Sequence, residues 1–90
     1  MQRLVTIDLR NADITLFEEY EAIVLQLLPK YGAKLEHRLR TTDHSTETHV
    51  LSFPAAEKYE AYLADNDRHK ARHIWESCGA SASSVEVYSL

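Results

Sequence analysis

Residues 33–53, AKLEHRLRTTDHSTETHVLSF, decide the fold. From Ala33 to Thr42 the side chains alternate, Leu35, His37 and Leu39 against Glu36, Arg38 and Arg40. From Thr48 to Phe53 they alternate again, His49, Leu51 and Phe53 against Thr48, Val50 and Ser52. A period of two places successive side chains on opposite faces of an extended chain, so both runs predict strands. Asp43-His44-Ser45 between them has turn chemistry, and the pair reads as a β-hairpin that Pro54 closes.

Working outward, Val5, Ile7 and Leu9 alternate with Leu4, Thr6 and Asp8 as a first strand. Thr15 and Glu18 have capping-box spacing for a following helix, with Asp13 as the competing cap. Leu16, Phe17, Tyr20, Ile23, Val24, Leu27, Leu28 and Tyr31 then recur at helical steps and paint one apolar face, with Glu18, Glu19, Glu21 and Gln26 mostly away from it. Pro29 and Gly32 are its stop signals. Beyond the hairpin, Ala55, Ala56, Tyr59, Tyr62 and Leu63 form a second helical stripe, broken by Ala64-Asp65-Asn66-Asp67. A further helix is expected from Arg68 to Ser77, ended by Gly79. After a small-residue loop at 80–83, Val85, Val87 and Ser89 alternate as a last strand. The order βαββαβ is the ferredoxin-like α+β unit, a four-stranded antiparallel sheet with its helices on one face, and residues 1–90 read as one domain.

Composition narrows the function. Ten Lys and Arg against 14 Asp and Glu give a net charge of -4, which leaves no basic field for nucleic acid. The single cysteine, Cys78, excludes a disulfide framework and a multi-thiolate zinc site. With no long apolar run for a membrane and no apolar leader at Met1–Asp8, a soluble, cytoplasmic protein is expected. No Gly-rich phosphate loop, serine elbow or CxxC pair is present.

If Val5, Ile7, Leu35, Leu39, Leu51, Phe53, Val85 and Val87 face the helices, the open face mixes Leu4, Val50 and Tyr88 with Arg38, Arg40, Glu36 and Glu86. Such a face suits a subunit interface enclosing a polar pocket, although one bulge would invert the assignment. The segments Leu27–Leu35, His49–Pro54 and Tyr59–Arg68 resemble the dimeric α+β barrel superfamily, most closely the domain of unknown function 1330 family. That resemblance implies a homodimer whose sheets pack face to face. It also implies a small-molecule ligand held between helices and sheet or in the barrel. Among such proteins are cofactor-independent monooxygenases, isomerases, haem-degrading enzymes and proteins without assigned chemistry, so an enzyme is one reading and a non-catalytic dimer module another.

Candidate residues follow. His37 and His49 share a face in one register of the hairpin and could move protons as the catalytic pair, helped by Asp8 or Glu47; equally, they could be half-buried strand histidines bonded to protein. Arg38, with Arg40, could clamp a substrate carboxylate, or pair with Glu36, Glu86 or other strand charges. Tyr59 and Trp75 could line an aromatic substrate pocket or be plain core. His69 and His73 have the spacing of a metal or haem site on one helix, but Arg68, Lys70 and Arg72 oppose a cation there. No metal and no cofactor are therefore expected.

Overall fold

The computed structural model describes residues 1–90. Four strands, β1 (Gln2–Asp8), β2 (Lys34–Arg40), β3 (Thr46–Ser52) and β4 (Ser81–Val87), form one sheet in the order β2-β3-β1-β4. Every neighbouring pair is antiparallel. Helix α1 (Ile14–Leu25) joins β1 to the hairpin, and α2 (Ala56–Leu63), α3 (Asn66–Lys70) and α4 (Arg72–Cys78) lie between β3 and β4. This is the expected ferredoxin-like topology, with the second helical segment in three pieces rather than two.

Local chemistry explains the boundaries. Asp13, rather than Thr15, caps α1: its carboxylate accepts the Leu16 amide at 3.1 Å. The helix ends at Leu25, and Pro29 sits in the first turn of a separate 3-10 segment, Leu28–Tyr31. Gly79 terminates α4 with φ 81°, and a Cβ there would lie 2.8 Å from the Asn11 carbonyl oxygen, so glycine answers both the backbone and the space. Asp65 is buried and ties the 3-10 segment to α3. Its Oδ2 accepts from Lys30 Nζ at 2.8 Å and from the Tyr31 hydroxyl, while Oδ1 caps α3 through the Asp67 amide at 2.8 Å. These donors, Lys30 foremost, hold the Asp65 carboxyl well below the usual carboxylate range.

Two register features differ from the expected sheet. Leu35 pairs with Leu51, but the next pair is His37 with Val50, so Glu36 is an inserted residue. This β-bulge reverses the alternation for the rest of β2: Arg38 now stands beside His49 and Arg40 beside Glu47 on the helix-covered face, and Leu39 turns to the open face. The bulge carries its own support, since Ser52 Oγ donates to Glu36 Oε1 at 2.8 Å. The last strand starts at Ser81, taking in the small residues expected to be loop, and pairs Leu4 with Val85 and Val5 with Ser84. Val85 and Val87 therefore lie on the open face, and Ser84 beneath the helices.

The core forms two clusters between sheet and helices. Leu28, Ala33, Leu51, Phe53 and Tyr62 make one; Ile7, Leu9, Phe17 and Cys78 make the other, and half-buried Val5 packs against both. Each large side chain so buried contributes about 1.5–3 kcal/mol. No helix is long and apolar enough to cross a membrane.

Candidate functional site

Between the two core clusters lies a cleft of about 440 Å³, walled by α1, α2, α3 and α4 over the covered face of the sheet. Its apolar lining includes Phe17, Tyr20, Tyr59, Tyr62 and Trp75. The ring of Trp75 lies 5.2 Å from that of Tyr20 and 6.5 Å from that of Phe17. Tyr59 packs edge-on to Phe53 at 5.2 Å, and the Arg3 guanidinium lies 4.6 Å over its ring. Tyr59 and Trp75, expected as pocket residues, thus stand in its wall while also supporting the core.

At one side of this apolar space sits a buried polar cluster. β3 presents Glu47 and His49 on the same face, two residues apart, and α1 lowers Glu21 onto them; the three are 1%, 5% and 3% exposed. His49 Nε2 is 2.6 Å from Glu47 Oε2 and 2.9 Å from Glu21 Oε2. A ring nitrogen carries one proton, and here it serves Glu47. Glu21 Oε2 is consequently a buried oxygen with no hydrogen bond of its own. The bulge delivers the counter-charges. Arg38 donates to Glu21 Oε1 and, at 3.4 Å, to Glu47 Oε2, while Arg40 Nε donates to Glu47 Oε1 at 2.8 Å.

These contacts pull the titrations apart. Burial pushes the Glu21 carboxyl up, and the neighbouring Glu47 adds to the rise against the opposing effects of His49 and Arg38. Burial would raise Glu47 as well, but its neighbours Glu21, His49 and Arg40 outweigh it and hold Glu47 down to about 2. For His49 burial disfavours the charge, yet the adjacent carboxyls of Glu21 and Glu47 prevail and its pKa is raised. Two carboxyls whose environments drive them in opposite directions, one an ionised anchor and the other a proton holder, are what acid–base chemistry requires.

The three ligand-type atoms lie within 4.8 Å of one another, a spacing that a divalent cation could also use. The charge count opposes it. With both carboxylates ionised, Arg38 and Arg40 already balance them, and a dication would place two uncompensated charges in a buried site. His69 and His73 do not form a metal site either: the helix breaks at Ala71 between them, and His73 Nδ1 donates to the Lys70 carbonyl at 2.8 Å.

Of the expected proton-transfer pair, His49 is in the cluster and His37 is not, because the bulge leaves His37 beside Val50 on the opposite face. Arg38 is committed to Glu21 and Glu47 and is no free clamp for a substrate carboxylate. Glu21 is the residue missed by reading the sequence. It falls four residues after Phe17 and three before Val24, both buried, and that spacing alone places it at the centre of the inner helix face.

No family model matches this chain, and no curated protein does. Solved structures do. SnoaB, a cofactor-independent oxygenase from Streptomyces nogalater, superposes with a TM-score of 0.73 at 10% identity, covering 99% of this chain and 93% of that one. A Nitrosomonas europaea protein provisionally described as an antibiotic biosynthesis monooxygenase gives 0.68 at 7% identity, covering 97% and 98%. An uncharacterized NIPSNAP domain protein from Burkholderia xenovorans gives 0.65 at 12% identity, covering 98% and 95%. The narrower resemblance to the domain of unknown function 1330 family finds no support among them. What these likenesses establish is the fold: a ferredoxin-like sheet-and-helix unit of the kind shared by SnoaB and NIPSNAP-type proteins.

Proposed function

We propose that this chain binds a small aromatic molecule in the cleft between helices and sheet and moves a proton on it, with cofactor-independent monooxygenase chemistry as the reaction class. The observation that carries this reading is that Glu21 and His49, with Glu47 behind them, line an aromatic-walled space of about 440 Å³, a size that encloses a compact ligand. A purely structural role for the polar residues would call for a filled cleft. In the proposed reaction Glu21 accepts a proton from an activated C–H of the ligand, and His49 steadies the charge that results. The carbanion so formed reduces dioxygen; one oxygen atom enters the product as a carbonyl and the other leaves as water. The likeness to SnoaB supports this class of reaction. Anthrone, with its acidic methylene, is a suitable probe: we expect it to quench Trp75 fluorescence and to be converted to anthraquinone with oxygen uptake and no added cofactor. Absence of both quenching and oxygen uptake would sink the reading.

The homodimer belongs to the same proposal. Leu39 and Val85 are 67% and 54% exposed on the open face, and Leu4 and Val50 lie between them across the sheet. Packing two such faces together would bury this strip. Sedimentation should give a dimer for the wild type and a monomer for Leu39→Asp combined with Val85→Asp; a wild-type monomer throughout the micromolar range would overturn the pairing.

A further inference from the structure

Every cation near the cluster is already engaged. Arg38 and Arg40 hold Glu21 and Glu47, Lys30 holds Asp65, and Arg72 is paired with Glu76 at 2.9 Å. One guanidinium in the wall of the cleft is different. Arg68, on α3, is half-buried and lines the same space as Glu21, and its carbon lies 4.8 Å over the ring of Tyr62. No carboxylate lies within ion-pair distance of it, although the chain carries an excess of acids and Asp67 is its neighbour in sequence. Tyr62 is itself fixed, since its hydroxyl donates to the Val24 carbonyl at 2.9 Å. The stacked guanidinium is therefore held against a rigid ring with no carboxylate to pair with.

We infer that Arg68 anchors an anionic group of the ligand, and that the cleft selects aromatic carboxylates over their neutral counterparts. The inference rests on the proposed ligand-binding role of the cleft and specifies its substrate class. A planar guanidinium matches a carboxylate with two parallel hydrogen bonds, and stacking on Tyr62 lowers the ordering cost of that geometry. Arg72 and His69 also line the cleft. Glu21, supplied by α1, is the only carboxylate in the lining, which makes a ligand with a single acid group the better fit than a dianion. The ligand's carboxylate would then sit at the Arg68 wall, with its ring system among Tyr20, Trp75 and Leu51.

Trp75, the only tryptophan, reports binding directly. Titration with 2-naphthoate and with neutral, nearly isosteric 2-naphthamide should show the acid binding at least about tenfold more tightly at low salt, the effect of one charged hydrogen-bonded contact. Arg68→Gln should erase that preference while changing amide binding little, and Arg68→Lys, which keeps the charge but not the fork, should retain part of it. Equal affinity for the two probes in the wild type, or a preference that survives Arg68→Gln, would overturn the anion assignment and leave the cleft's ligand-binding role standing. Failure of both probes to bind would overturn that role together with it. The wild-type comparison is independent of how any variant folds.

Discussion

Replacing Glu47 with alanine should cost about 3–5 kcal/mol of stability, the range found when one member of a buried ion pair is removed. A domain of this size has only about 5–15 kcal/mol to lose. The reason lies in what Glu47 holds. At 1% exposure it accepts from Arg40, Arg38 and His49 together, and alanine would leave two guanidiniums and an imidazole facing a void. The pH dependence gives an independent check. Because the folded carboxyl is held down to about 2 from an ordinary value of 4.5, its contribution is complete above the ordinary value and drains away as the pH falls toward 2. Urea unfolding at pH 6 and pH 3 should therefore show a large acid loss for the wild type and a smaller one for Glu47→Ala. A variant that loses less than about 1 kcal/mol at pH 6 would mean that the cluster behaves like an exposed ion pair.

How this cluster assembles explains why only part of it was legible beforehand. The strands and helices announce themselves through period two and period 3.6, and the sheet topology follows from their order. The bulge at Glu36 leaves no such mark. Glu36, His37 and Arg38 are three polar residues in a row, so the inserted residue costs no visible break in an apolar pattern, yet it moves Arg38 and Arg40 from the open face to the covered one. β4 shows the related difficulty. Ser81-Ala82-Ser83-Ser84 has loop composition, and its strand character comes from the hydrogen bonds of β1 rather than from its own propensity. Glu21 was hidden for the opposite reason. Its helical spacing pointed inward, but a carboxylate in that position looks like a solvated residue until the partners from β2 and β3 are known. His49 was found because alternation placed it with Leu51 and Phe53, and those contacts are local to one strand.

Glu21→Gln should separate what the cleft does from what holds it together, and we expect opposite signs in the two measurements. Burial raises the Glu21 carboxyl, so the folded state favours its neutral form; the stability linked to that proton is present below the ordinary value of 4.5 and is lost as the pH rises through the raised folded value. Glutamine copies the shape and hydrogen-bonding capacity of the protonated acid but cannot ionise. At pH 8 the variant should therefore melt higher than the wild type, by about 5 °C if roughly 1 kcal/mol is recovered, and the difference should shrink at pH 5. His49 works in the same direction, since its own raised pKa makes the charged, bonded form fade as the solution becomes alkaline, and it does so in both proteins. Turnover of anthrone should behave in the contrary way. An amide accepts no proton, so the rate should drop about 10²–10⁴-fold while quenching of Trp75 by the bound ligand stays close to the wild-type value. The wild-type rate should climb with pH through the raised Glu21 value and fall again where His49 loses its proton, and Glu21→Asp should recover part of the rate if a carboxylate at this position is what matters. A Glu21→Gln protein that gains alkaline stability but keeps its rate would leave Glu21 a strained structural acid and move the search for the base to another residue of the cleft.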